Sequence, residues 1–177
     1  MIQIVKIVKR TQLNTYEIIS IVAMKVYGVE IPTDKGLTNV DIESVVKKLK
    51  IPNFRGVFMR DTLPTNPKKV ECAIVNLNRS NEIGSHWVCY TKIGKMRLYF
   101  DSFGQDVPFE IIRYLKTSKE YKNDVAVIAR NTDIVQRVNT HVCGQLCLFV
   151  LRSLMREHLT YQQVLDILGN GYSQADW

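Results

Sequence analysis

The sequence predicts an α+β domain in which helices flank a small, mostly antiparallel sheet. Three observations lead there. Two helices carry complete start signals, Thr38 with Asp41 and Thr160 with Gln163. Between them, Val70–Leu77, His86–Thr91 and Met96–Asp101 read as strands, the last two flanking a K-I-G-K hairpin loop. No repeat, low-complexity stretch or linker divides the 177 residues, so a single domain is expected over 1–177.

Taken in order, the first ten residues are too short and too charged for a secretory apolar core. The run Ile18–Met24 is broken by Ser20, stopped by Lys25 and far short of a membrane span. Asn14–Val26 reads as a largely buried helix with Asn14 as N-cap and Glu17 three residues on, ended by Gly28 and Pro32. Residues 1–37 are thus expected to be an additional N-terminal helical segment. The next helix starts at Thr38, with Leu37 and Ile42 as a hydrophobic staple. It runs to about Leu49, with Lys47 and Lys48 near its negative end, and stops before Pro52. Asn53–Pro67 looks like a loop around a short G-V-F-M segment, with Gly56, Pro64 and Pro67 as breakers.

Val70–Leu77 is apolar enough in its middle to be buried, and Asn78–Ser85 is a polar connection. Pro108–Leu115 reads as a helix with Pro108 at its first position, and Val125–Arg130 as a further buried strand. Leu146–Met155 has apolar residues on too many faces for a surface helix, so it is expected inside. The last helix runs from Thr160 to about Leu168, with Leu159 and Val164 as staple and Gly169–Gly171 ending it.

The formal charge of +7 favours polyanions, but the basic residues are spread along the chain, which leaves DNA as an open partner. The four cysteines show no CxxC and no secreted-scaffold spacing, which points to free thiols in a reducing compartment.

The chemistry concentrates around Cys143. It follows a polar loop and opens the buried helix, where unpaired N–H groups and the positive end of the dipole favour thiolate over thiol. Gly144 leaves no side chain beside the sulfur, so a substrate backbone could approach. A thiol nucleophile needs a base and a group to orient that base. Of three histidines, His158 reads as solvent-facing and His141 stands too near Cys143 in sequence to turn its ring back. His86 opens a strand whose hairpin partner ends at Asp101, so the two can meet across the ladder. Taken alone, such a pair is more often an exposed contact. Gln136 could aim a side-chain amide at the point where the Cys143 N–H aims, although a lone loop Gln is usually solvated. Trp87 alone is more often core, and Cys147, one turn beyond Cys143, reads as core. A metal site is disfavoured. Residues 86 and 89 of one strand face opposite ways, and 141, 143 and 147 have no common zinc spacing.

G-S-H-W, then F-D-S-F-G, then V-Q-R-V-N-T-H-V-C-G-Q-L-C resemble, in this order, the adenovirus maturation proteases (adenain) and their virophage and Polinton/Maverick relatives. The ubiquitin-like-protein proteases share the wider fold. The resemblance covers roughly Thr38–Leu151 and includes C-A-I-V-N at 72–76 and G-V-F at 56–58. It implies the adenain fold, with Cys143 as nucleophile, His86 as base, Asp101 as orienting acid, Gln136 as oxyanion donor and Trp87 in its usual place after the histidine. The six residues between Gln136 and Cys143 match the adenovirus type, and the ubiquitin-like-protein branch usually has five.

There are departures. Adenovirus has Glu where this chain has Asp101. No cysteine lies in Val125–Val135 to bond an activating peptide, the chain after the nucleophile is much shorter, and residues 1–37 are additional. The expectation is a viral cysteine endopeptidase that processes capsid and core precursors at Gly-Gly or Gly-X sites during virion maturation, in the infected cell and the virion. No cofactor or metal is expected, while a DNA or peptide activator stays open. The alternatives are a protease of host ubiquitin-like modifiers, or a DNA-binding module with a vestigial site.

Overall fold

The computed structural model describes residues 2–5, 23–117 and 127–171. It holds a three-stranded sheet of β1 (Ile2–Val5), β2 (Ala23–Val26) and β3 (Val29–Pro32), and a five-stranded sheet. The latter consists of β4 (Phe54–Met59), β5 (Val70–Asn76), β6 (Trp87–Ile93), β7 (Met96–Phe100) and β8 (Ile128–Arg130), in that spatial order. The helices are α1 (Asn39–Leu49), α2 (Phe109–Lys116), α3 (Cys143–Met155) and α4 (Tyr161–Gly171). The α+β architecture is as expected. The inner pairs of the large sheet are antiparallel, but both outer pairs, β4 with β5 and β7 with β8, are parallel.

The large sheet is covered on both faces, which is why β5 is nearly continuous in apolar residues rather than alternating. One face packs with α1, α3, α4 and the small sheet around Ile74, Cys89, Phe100, Leu146 and Phe149. The other packs with α2 around Val75, Val88, Tyr99 and Ile111. Of the thirteen residues of α3, all but Arg152 are buried, as its sequence demands. Both capping boxes form. Thr38 Oγ1 accepts from the Asp41 N–H at 3.2 Å while Asp41 accepts from the Thr38 N–H at 2.9 Å; Thr160 and Gln163 do the same at 3.2 and 2.9 Å.

Four expectations fail. Residues 23–26 are strand, not helix, and the rest of the expected helix, 14–22, lies outside the described residues. Met24 and Val26 are buried with Lys25 between them only partly so, a period of two. Tyr27 and Gly28, with φ of 45° and 83°, form the two-residue turn into β3. Residues 23–32 are therefore a hairpin docked on α3, where the Tyr27 ring stacks on Phe149 at 5.8 Å and its hydroxyl meets Ser153 Oγ at 2.7 Å. Next, Phe54–Met59 is a strand in a stretch expected to be loop. Gly56 marks an irregularity in its register rather than a break, and its φ of 139° is open only to glycine. Third, the strand expected at Val125–Arg130 is a short edge, Ile128–Arg130, not a buried strand, and Val127 before it is exposed. Last, α4 continues through Gly169–Gly171. A smaller shift places Pro108 at the N-cap of α2 rather than at its first helical position.

Under α2 lies a buried polar cluster. Glu71, fully buried on β5, accepts from Arg55 Nη1 (2.9 Å), the Lys68 N–H (2.8 Å), Tyr114 OH (2.5 Å) and Tyr90 OH (3.3 Å). Lys92, opposite Glu71 in the ladder, is buried with its ammonium 5.6 Å from the Tyr114 ring. Burial lowers the Lys92 pKa, and the charge of Glu71 works against that. Glu71→Ala is expected to destabilise the fold by about 3–5 kcal/mol, because it strands buried cations and three donors together. Urea unfolding would read this as a lower midpoint. An unchanged midpoint would mean that the cluster is not held by Glu71.

No helix among the described residues is long and apolar enough to cross a membrane.

Candidate active site

The ends of β6 and β7 and the start of α3 converge on one cleft. His86 immediately precedes β6, and its carbonyl accepts from the Leu77 N–H at 3.0 Å, which fixes it beside the end of β5. Asp101 immediately follows β7 and is fully buried. Antiparallel pairing of β6 with β7, Cys89 opposite Phe100, brings these two positions together. His86 Nε2 lies 2.7 Å from Asp101 Oδ1, which also accepts from the Phe103 N–H at 2.9 Å. The Phe103 ring lies against the imidazole, with centroids 5.0 Å apart.

The Cys143 thiol lines the same cleft as His86 and lies close enough to the imidazole to act on its ionisation. Burial disfavours the charged ring, but the hydrogen bonds and negative charges of Asp101 and Cys143 outweigh it and push the His86 pKa up to about 9. Cys143 is the first residue of α3. Val142 at the N-cap position supplies no side-chain acceptor, so no side chain caps the first-turn N–H groups. The sequence-expected trio at 86, 101 and 143 is therefore one connected cluster.

Gln136 joins it, though as a buried residue rather than the solvated one a lone loop Gln suggests. Its Oε1 accepts from Ser102 Oγ at 2.6 Å, and its Nε2 donates to the Thr140 carbonyl at 2.7 Å. Gln136, Cys143, His86, Trp87 and Phe103 all line a cleft of about 1120 Å³.

Trp87 donates from Nε1 to the Leu37 carbonyl at 2.8 Å, which ties the segment before α1 to the cleft wall. A Cβ at Gly144 would meet Leu37 Cδ1 and Trp87 Cδ1 at 3.3 Å, so the missing side chain makes room for Trp87 and Leu37. Cys147 is fully buried, with its thiol on the Trp87 carbonyl at 3.5 Å, and burial raises its pKa well above the ordinary range. His141 is an exposed residue at the cleft rim, and His158 is exposed in the connection between α3 and α4. Among the described residues, no three His, Cys, Asp or Glu converge as a metal site would require.

Sequence reasoning missed Ser102, Phe103 and Asn131. Asn131 brackets the Asp101 backbone, accepting from its N–H at 3.0 Å and donating to its carbonyl at 2.6 Å. Gly104 (φ 64°) lets the 101–104 turn lie against the Thr132 carbonyl, 2.4 Å from where a Cβ would stand. Ser102 and Phe103 stood beside Asp101 in the F-D-S-F-G motif, whereas Asn131 is thirty positions from Asp101 and carried no local signal.

The protease of bovine adenovirus 2 is 27% identical over 156 residues, an alignment taking in 80% of this chain and 75% of that protein. Among solved structures, the crystal structure of ASFV pS273R protease superposes with a TM-score of 0.54 at 19% identity over 74% of this chain. Its selenomethionine form gives 0.53 at 21% over the same share. These likenesses are of fold, and the chain spans 61% of the length of the first of those proteases. The family model for adenovirus endoproteases matches residues 54–170, well over half of the chain, and the chain therefore belongs to the adenovirus endoprotease family.

Proposed function

We propose that this protein is a viral cysteine endopeptidase that cleaves capsid and core precursors during virion maturation. The observation that carries this reading is the His86 ring held by the Asp101 carboxylate at the wall of an open cleft that Cys143 also lines. The Cys143 thiolate attacks the scissile carbonyl carbon, forming a C–S bond and pushing charge onto the carbonyl oxygen. That oxygen is received by the Cys143 N–H and by the second Gln136 amide hydrogen, the first being engaged by Thr140. Protonated His86 gives its proton to the departing amine, leaving a thioester. His86, now neutral, takes a proton from water, which attacks the thioester and releases the acid and the thiolate. Asp101 holds the ring and stabilises its charge throughout.

Membership of the adenovirus endoprotease family supports viral proteins as substrates, cut at Gly-Gly or Gly-X sites. Incubation with co-expressed virion precursors, followed by mass spectrometry of the new termini, tests both points. Termini after glycine, lost when Cys143 is alkylated, are the expected result. Cleavage of ubiquitin-like conjugates with intact virion precursors would replace this substrate assignment, and no cleavage with an unreactive Cys143 would end it. DNA as an activator is a separate proposal, supported by the +7 charge; it fails if DNA at low salt leaves the rate unchanged.

A further inference from the structure

Asp101 and Ser102 are neighbours on one buried turn, and each holds a different part of the cleft. Asp101 reaches His86, and Ser102 reaches Gln136. The peptide between them is fixed from behind by Asn131 on the Asp101 N–H and carbonyl, and by the Gly104 N–H on the same carbonyl at 2.8 Å. The Ser102 carbonyl accepts from the N–H groups of Val135 (2.9 Å) and Gln136 (3.1 Å), which seats the loop carrying the glutamine. On the side of the turn these contacts use main-chain groups alone and do not depend on the Ser102 side chain.

The Ser102 hydroxyl has one visible task. An amide can turn over and exchange its oxygen and nitrogen, and only its partners decide which way it points. The Thr140 carbonyl can only accept, so it must face the Gln136 nitrogen. The oxygen then faces Ser102, whose hydroxyl is thereby the donor. Both side chains are buried, and so is the bond between them, which leaves the amide oxygen dependent on the Ser102 hydroxyl.

We propose that Ser102 is a positioning residue for Gln136: its hydroxyl pins the amide oxygen and so keeps the free N–H directed at the carbonyl oxygen of the bound substrate. The inference rests on the reading that Gln136 stabilises the oxyanion. A turn that holds the acid through one residue holds the oxyanion donor through the next, so the two are set at a constant spacing.

The test is a double-mutant cycle on the full chain with a peptide substrate. Gln136→Ala is expected to lower kcat about 10²–10³-fold. Ser102→Ala, which keeps every main-chain contact, is expected to lower kcat about tenfold with KM within about twofold, the signature of a loss felt in the transition state. In the Gln136→Ala background, Ser102→Ala should cost less than about twofold, because the two residues act as one unit. Alkylation of Cys143 by iodoacetamide forms no oxyanion, so its rate and pH dependence should be unchanged by Ser102→Ala. A role exerted through Asp101 and His86 would shift that profile and overturn the proposal. Full multiplication of the two kcat effects would overturn it, as would wild-type kcat in Ser102→Ala. If Gln136→Ala itself keeps its kcat, the oxyanion reading falls and takes this one with it. A slow Gln136→Ala beside an unaffected Ser102→Ala sinks the positioning role alone.

Discussion

Cys143→Ala is expected to lower peptide cleavage by about 10⁴-fold or more while leaving the fold standing. The loss is that large because removing the sulfur removes the covalent route, and with it every step that His86 serves. Stability should change by less than about 1 kcal/mol. The substitution deletes one atom at the first residue of α3, and alanine suits a helix better than cysteine does. The same variant reports on selectivity. Cys72, Cys89 and Cys147 are 0–1% exposed against 6% for Cys143, and burial raises the pKa of Cys72 and Cys147 further. A thiol-directed electrophile should therefore add once to the native protein, at Cys143, and not at all to Cys143→Ala, as intact-mass spectrometry would show. Retained cleavage in the variant, or an adduct on another cysteine that abolishes activity, would move the nucleophile elsewhere.

What the sequence disclosed follows the range of the interactions. Signals completed within four residues were legible: the Thr38–Asp41 and Thr160–Gln163 boxes, the turn at Gly94, and the apolar density of α3. His86 and Asp101 were legible because a tight hairpin makes a fifteen-residue separation effectively local. Parallel pairing of β4 with β5 was not, since nothing in F-R-G-V-F-M marks its partner, and Gly56 reads as a breaker until a register irregularity gives it a place. The β2 stretch misled for another reason. In I-I-S-I-V-A-M-K-V nearly every position is apolar, so a period of two at Met24 and Val26 is hidden, and only Tyr27-Gly28 betrays the hairpin. The packing of Gly144 against Trp87 and Leu37 was not legible, because which side of α3 faces Trp87 depends on tertiary packing. Ser102 and Asn131 act only across loops that meet in space.

Asp101→Asn is expected to lower kcat/KM by about 10²–10⁴-fold and to move the alkaline limit of activity towards neutrality. The pKa of His86 stands at about 9 because Asp101 and Cys143 outweigh burial, so the ring keeps the proton needed by the leaving amine up to that pH. Without the carboxylate charge, burial regains weight and the folded pKa falls back towards 6.5. A raised folded pKa stabilises the protonated native state. That contribution is complete below about pH 6.5 and is lost as the pH rises through about 9, so the wild type should lose stability across this window and the variant much less. The asparagine also fits poorly. Asp101 Oδ2 is buried without a hydrogen-bond partner, so an amide nitrogen there would lack an acceptor. Turned over, the nitrogen would confront the Phe103 N–H and the His86 ring, forcing the imidazole into the other tautomer. Profiles of kcat/KM and of Cys143 alkylation against pH would separate charge from orientation. Loss of charge moves the alkaline limit of kcat/KM and, with it, the pH at which the alkylation rate responds to His86, whereas a wrong tautomer alone lowers the plateau and leaves both in place. An unmoved limit with an unchanged plateau would remove Asp101 from the chemistry.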